Sequence, residues 1–256
     1  MSILEVAHVT IRFGGLTAVA DFCLELERGD LLGLIGPNGS GKSTIFNIIS
    51  GFYTPTEGKV RFDGKDITGY RPDKVAGLGL ARIFQNSRLF KDLSVIDNVA
   101  IGHHLHRRSS PLAAVLRTRG YREEEAHTYA ESRSLLEKLD LGRYAEENAG
   151  SLPYGLQRKL EVARALATKP RLLLLDEPAA GLSAGETQEM MDFILAVRKD
   201  FNLAVLLIEH TMAVIMSCCP RIMVLNYGRT IAEGTPQEVQ RNPKVVEAYL
   251  GVSAHA

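Results

Sequence analysis

Eight consecutive residues, Gly36-Pro37-Asn38-Gly39-Ser40-Gly41-Lys42-Ser43, fit the pattern G-x-x-x-x-G-K-[ST]. The chemistry of such a stretch is phosphate binding. Glycines let the backbone curl until successive N–H groups point inward at anionic oxygens, and a helix opening directly afterwards adds its positive end. Lys42 supplies a point charge between the β- and γ-phosphates, and Ser43 offers a hydroxyl to Mg²⁺. A second reactive stretch is Leu172-Leu173-Leu174-Leu175-Asp176-Glu177. Asp176, at the end of an apolar strand, can hold Mg²⁺ directly or through water. Glu177 projects to the other side and can orient or deprotonate an attacking water. Alone, this stretch also reads as a strand followed by an acidic turn at Pro178. Beside a phosphate loop it reads as the catalytic end of a sheet.

Both stretches need a sheet to hold them. Asp30 to Ile35 is a mostly apolar run ahead of the glycine-rich loop, and Thr44 to Ile49 reads as the helix behind it. Leu172 to Leu175, Leu203 to Ile208 and Ile222 to Leu225 are short and continuously apolar, the pattern of parallel strands covered on both faces. Helical stretches at Gln157 to Thr168 and Ala184 to Lys199 separate them, so the core is α/β. The first thirty residues alternate instead. Val9, Ile11 and Phe13 share one face, as do Phe22, Leu24 and Leu26, with Gly14-Gly15 between, which predicts an antiparallel pair. Val60 to Lys65 predicts a hairpin turning at Asp63-Gly64. From about Leu93 to Leu152 no strand-like run occurs. Glu123 to Leu139 predicts an amphipathic helix with Ala126, Ala130 and Leu136 on one side, within a helical insertion.

Composition limits the possible functions. Of 256 residues, 45% are hydrophobic and 23% charged, which excludes wholesale disorder. Thirty basic and thirty acidic side chains cancel, which argues against coating nucleic acid by charge. Cys23, Cys218 and Cys219 read as reduced thiols. The opening Met1 to Glu5 lacks the basic and apolar regions of a signal peptide. The apolar runs fall far short of the roughly 20 residues that cross a bilayer. Arg107, Arg108, Arg117, Arg119 and Arg122 lie in a stretch, His103 to Arg122, without an acidic residue. It reads as a solvated loop, or as a contact with anionic lipid or a membrane subunit.

The order of motifs narrows the class further. After the phosphate loop come Gln85, then Leu152-Pro153-Tyr154-Gly155-Leu156-Gln157-Arg158, Asp176-Glu177, Ala180-Gly181-Leu182-Ser183 and His210. That order resembles the ATP-binding subunits of ABC transporters over essentially the whole chain. Ala81-Arg82-Ile83-Phe84-Gln85, Leu152 to Gly155, Asp176 to Leu182, Ile208-Glu209-His210 and the tail Asn242 to Gly251 resemble the G-type ATPases of branched-chain amino-acid importers.

The resemblance implies an α/β P-loop core with a mixed sheet, an N-terminal antiparallel β-subdomain and an inserted helical subdomain. The core would take residues 1–92 and 160–256, and the helical part about 93–159. It implies ATP and Mg²⁺ as ligands. Gly36, Pro37, Asn38, Gly39, Ser40, Gly41, Lys42, Ser43 and Thr44 would hold the phosphates, with Ser43, Gln85 and Asp176 on the metal. Glu177 would be the base, with His210 on the γ-phosphate and Gln85 on the attacking water. Phe13 would stack on adenine, its alternative being a core aromatic. Gln85 could equally be a surface amide and His210 a structural residue.

Two departures from the family pattern stand out. The signature loop carries Pro153, Tyr154 and Leu156 where Leu-Ser-Gly-Gly-Gln is usual, and Ser183 stands where many relatives carry Asp. Proline offers neither a hydroxyl nor an N–H, so the ATP site that this loop caps on a second subunit is expected to be the weaker of two. The implied partners are a second ATPase subunit in a heterodimer, integral-membrane permeases and an extracytoplasmic solute-binding protein, without nucleic acid. The implied location is the cytoplasmic face of the inner membrane, peripherally bound. Importers of urea or short amides, and soluble non-transport ABC ATPases, are the competing readings.

Overall fold

The computed structural model describes residues 2–85, 88–106 and 109–250. Arg107, Arg108 and Gly251 of the sequence reading lie outside them. The chain divides into two compact units, Met1–Gln85 with Arg171–Ala256, and Asn86–Pro170.

The first unit holds two sheets. Strands β1 (Ser2–Phe13), β2 (Leu16–Glu27), β4 (Glu57–Phe62) and β5 (Lys65–Asp66) form an antiparallel sheet in the order β2-β1-β4-β5. The hairpin between β4 and β5 turns at Asp63 and Gly64, both at positive φ (49° and 76°), the twist that a two-residue turn between right-twisted strands requires. Strands β3 (Leu31–Ile35), β6 (Leu80–Ile83), β7 (Leu172–Asp176), β8 (Ala204–Ile208), β9 (Arg221–Asn226) and β10 (Arg229–Gly234) form the second sheet, in the order β10-β9-β3-β8-β7-β6. All its pairings are parallel except that of β10. Strands β3, β7 and β8 are buried at every position, as continuous apolar runs covered on both faces must be.

Helices α1 (Lys42–Ile49), α2 (Pro72–Gly77), α7 (Ala184–Asp200), α8 (Met212–Cys218), α9 (Pro236–Arg241) and α10 (Pro243–Leu250) belong to this unit. Phe22, Phe46 and Phe62 join Leu34, Leu174 and Leu206 in one core that spans both sheets. Here the sequence pattern errs at one residue. Phe13 does not share the buried face with Val9 and Ile11 but stands 46% exposed, because register shifts interrupt the alternation of β1.

The second unit is helical: α3 (Val95–Gly102), α4 (Pro111–Val115), α5 (Arg119–Lys138) and α6 (Tyr154–Leu166), with short 3₁₀ turns. Its limits run beyond 93 and 159 at both ends, because α6 packs on α3 and the backbone at Arg88 bonds to Glu161 of α6. Helix α5 buries Thr128, Ser132 and Leu136, whereas Ala126 and Ala130 are exposed. The hydroxyls explain the discrepancy. Thr128 donates to the Glu124 carbonyl (2.9 Å) and Ser132 to that of Thr128 (2.8 Å), so both polar residues are satisfied within their own helix and tolerate burial.

Candidate functional site

The registers of the parallel sheet put its functional residues at one end. Leu34 pairs with Ile208, Asp176 with Ile208, and Ile83 with Leu175. The segments leaving β3, β7, β8 and β6 therefore all emerge at the carboxyl ends of neighbouring strands, where open parallel sheets bind ligands. They carry Gly36 to Ser43, Glu177, His210 and Gln85.

The phosphate loop is tight. Ser40 N–H donates to the Pro37 carbonyl at 3.1 Å, and the Ser40 carbonyl accepts from Gly228 N–H at 2.9 Å. Gly36 sits at φ 150° with the Leu225 carbonyl 2.1 Å from where a Cβ would be, so no other residue fits. Helix α1 starts with Gly41 as its N-cap, left-handed at φ 106°, without a side-chain cap and without an acidic residue in its first turn. Its leading N–H groups and dipole are thus left available to an anion. Lys42 is buried and its ammonium donates to the carbonyls of Gly36 (2.7 Å) and Pro37 (3.0 Å). Burial pulls its pKa below the ordinary 10.5, while the charges of Glu177 and Asp176 work against that shift. Ser43 is exposed and Thr44 half-buried behind it.

Glu177 lies just past β7 at φ 51°, its N–H bonded to the Ile208 carbonyl at 2.9 Å. This left-handed turn aims its carboxylate at two neighbours. Gln85 Nε2 donates to Oε2 at 2.6 Å, and His210 Nδ1 lies 3.6 Å from the same oxygen. Three residues distant in sequence thus meet at one carboxylate oxygen, an arrangement suited to holding and deprotonating a water. Phe13, at the end of β1, packs edge-on against Tyr53 with centroids 5.3 Å apart, leaving both rings partly exposed.

Several contributors escaped the sequence reading. Arg82, in β6, bonds Asp176 Oδ2 at 2.8 Å and Asn47 Oδ1 at 2.7 Å, and stacks 4.6 Å from the Phe84 ring. It ties Asp176 to helix α1. The available signal was a lone cation in an apolar strand, Leu80 to Ile83. Glu209 is 2% exposed and accepts from Ala179 N–H at 3.1 Å; burial raises its pKa. Helix α10 also reaches the site. Lys244 and Glu247 line a cavity of about 510 Å³ together with Pro37 to Ser40, Asn226 and Tyr227. Burial pushes the Tyr249 hydroxyl above the ordinary tyrosine range, and a hydrogen bond with the Gly36 backbone partly offsets it.

The signature loop belongs to the helical unit. Pro153 is the N-cap of α6, its carbonyl accepting from Leu156 and Gln157 N–H at 3.0 Å each. The helix begins at Tyr154, inside the loop, three residues earlier than the sequence suggested. Gln157 folds its amide back onto the Leu152 carbonyl at 2.8 Å, and Arg158, buried, bonds Glu161 at 2.9 Å. Ser183 caps α7 through a reciprocal pair with Glu186.

Comparison with known proteins places the chain in a family. The ABC transporter family matches residues 19–180, and a C-terminal family described as branched-chain amino acid ATP-binding cassette transporter matches residues 229–255. The high-affinity branched-chain amino acid transport ATP-binding protein BraF of Pseudomonas aeruginosa is 44% identical, covering 97% of this chain and 98% of its own. LivG of Escherichia coli, described in the same words, is 40% identical with the same coverage. The crystal structure of the ADP conformation of MJ1267, an ATP-binding cassette of an ABC transporter, superposes with a TM-score of 0.85 at 33% identity, over 98% of this chain and 99% of that one. The chain belongs to the ABC transporter family as an ATP-binding subunit, and it hydrolyses ATP.

Proposed function

We propose that this chain powers the import of branched-chain amino acids through membrane permeases, as one of two unlike ATPase subunits on the cytoplasmic face of the membrane. The observation that carries the reading is the meeting of Gln85, Glu177 and His210 at the sheet end that also presents the phosphate loop. The cargo assignment draws support from the names of the relatives and from the C-terminal match at 229–255. Among the described residues no helix is long and apolar enough to cross a membrane, so the permeation path belongs to partner subunits.

In this reading Lys42 and the backbone N–H groups that the loop and the start of α1 leave uncommitted grip the phosphates, and Phe13 stacks on the adenine. Glu177 takes the proton of the attacking water, Gln85 orients that water, and His210 contacts the γ-phosphate. Ser43, Gln85 and Asp176 offer only hydroxyl, amide and carboxylate oxygens, the hard donors that suit Mg²⁺. When bound, Mg²⁺ neutralises charge on the phosphates. The signature loop caps the γ-phosphate on the other ATPase, so ATP favours the closed pair and its hydrolysis reopens it. Pro153 brings no hydroxyl to that cap, so the two sites are unequal. A solute-binding protein outside the membrane delivers cargo to the permeases.

The decisive experiment is co-expression with candidate permeases and a second ATPase from the same genome, reconstitution in vesicles, and uptake of labelled leucine, isoleucine and valine. ATP-dependent uptake is expected. Uptake of urea or short amides instead, or none with a folded complex, overturns the cargo assignment.

A further inference from the structure

A second cluster of chemistry lies on the antiparallel sheet. Among the described residues, His8, Asp21 and Cys23 form the one group of three metal-ligating side chains whose donor atoms all lie within 4.8 Å of one another. His8 Nδ1 is 2.7 Å from Asp21 Oδ1, and Cys23 Sγ accepts from His8 N–H at 3.3 Å. All three are exposed. Phe22, fully buried between them, turns Asp21 and Cys23 outward on one face of β2. His8 falls in the register shift between Val6 and Val9 of β1, and both His8 and Asp21 adopt positive φ (51° and 52°). Such irregularities re-aim side chains away from the regular ladder, here toward one point.

We propose that His8, Asp21 and Cys23 form a surface site for a divalent ion of zinc type, and that its occupation is felt at the phosphate loop. An imidazole, a carboxylate and a thiolate are the donors such ions prefer, with water in the fourth position. Tetrahedral zinc with bonds of about 2.0–2.3 Å needs donors about 3.3–3.8 Å apart. The His8–Asp21 pair, at 2.7 Å, opens to reach that spacing, and Cys23 already lies within 4.8 Å of both donors. Binding replaces the His8–Asp21 hydrogen bond with two metal bonds, the ring proton sitting on Nε2 instead of Nδ1, and the Cys23 thiol proton leaves to solvent as the thiolate takes the metal. The link to the nucleotide is a run of backbone bonds. Ala20, beside Asp21, donates to the Gly228 carbonyl at 2.9 Å, and Gly228 N–H donates to the Ser40 carbonyl at 2.9 Å. Ser40 is part of the phosphate loop, so drawing β2 toward His8 shifts the strand that braces that loop.

Cobalt is the probe, because a cobalt–thiolate bond absorbs in the near-ultraviolet. Titrating Co²⁺ into the full chain is expected to give a saturating one-to-one band. The band survives in Cys218→Ser with Cys219→Ser, disappears in Cys23→Ser and weakens in His8→Ala, with melting curves confirming that each variant folds. No saturating band, a band that persists in Cys23→Ser, or one lost with Cys218 and Cys219 overturns the site. In the second arm, zinc shifts the affinity for a fluorescent ATP analogue by about fivefold or more, a typical coupling between sites. Cys23→Ser abolishes that shift. Equal affinities with and without zinc in the unaltered chain overturn the link to the phosphate loop.

Discussion

Helices α1 and α6 begin differently from α7 and α9. Ser183 caps α7 and Thr235 caps α9, each through a full reciprocal box with a glutamate three residues on. Helix α1 begins at left-handed Gly41 and α6 at Pro153, neither with a side-chain cap. A capped helix spends its leading N–H groups internally, whereas an uncapped one keeps them for an external acceptor. Helices α2 and α8 also lack a side-chain cap, but α1 and α6 are the starts that lie in the phosphate loop and the signature loop, the two places that the proposed pair brings to phosphate. The same comparison separates the two loops from each other. The phosphate loop adds Lys42 to its free N–H groups, while the signature loop adds no charge and, at Pro153, no hydroxyl.

The largest effect expected from this contrast is at the base. Glu177→Gln keeps the hydrogen bond to Gln85 but cannot accept a proton. Turnover should fall by about 10²–10⁴-fold with ATP binding retained, measured as phosphate release beside nucleotide retention on a filter. Substantial hydrolysis in that variant removes Glu177 from the role.

Lys42→Ala comes next. Losing a charged hydrogen bond of about 1.5–3 kcal/mol weakens ATP binding by roughly ten- to 150-fold, read by calorimetry. Unchanged affinity would make the α1 start no more an anion site than that of α7. A pH series sharpens the point. Burial lowers the folded-state pKa of Lys42 below 10.5, so the native chain releases this proton before the unfolded chain does. Between the two values stability due to this group rises with pH, while ATP affinity falls as the charge is lost. An affinity constant until pH reaches the ordinary lysine value would contradict the role of burial.

The contrast also explains what sequence could reveal. The parallel strands, the hairpin at Asp63-Gly64 and the phosphate loop were legible because each depends on local pattern. The meeting of Gln85, Glu177 and His210 could be ordered along the chain, but only strand register brings it into contact. Arg82 was hidden because a cation inside an apolar strand states no partner, and Asp176 lies far along the chain. The face of α5 was misread because hydropathy ranks alanine above threonine and serine. A hydroxyl bonded to the carbonyl four residues back no longer behaves as a polar surface group.

A smaller effect tests the inequality of the two loops. Pro153→Ser gives the signature loop a hydroxyl and an N–H. If the unaltered pair hydrolyses one ATP per dimer in a single turnover, the variant should approach two, with about a tenfold gain at the weaker site from one added hydrogen bond of about 1.5 kcal/mol. Two equivalent, fully active sites in the unaltered complex would remove the asymmetry.

The smallest effect falls on the capped side. Ser183 accepts from Glu186 N–H at 3.4 Å and donates to its carboxylate at 2.7 Å, while Ser183 N–H donates to that carboxylate at 2.9 Å. These bonds hold the Glu186 carboxyl below the usual glutamate range. Ser183→Ala removes the hydroxyl but leaves the Ser183 backbone bond to Glu186, so only part of the box is lost. The cost is about 1 kcal/mol of stability, a fall of about 2–4 °C in Tm for a chain of this size. Intrinsic ATP affinity of the isolated chain should not change, because this helix start is already satisfied from within. A melting point unmoved with affinity reduced would reverse the assignment and make α7 a phosphate-binding start like α1. A lower melting point with unchanged affinity would place Ser183 on the structural side, with α9.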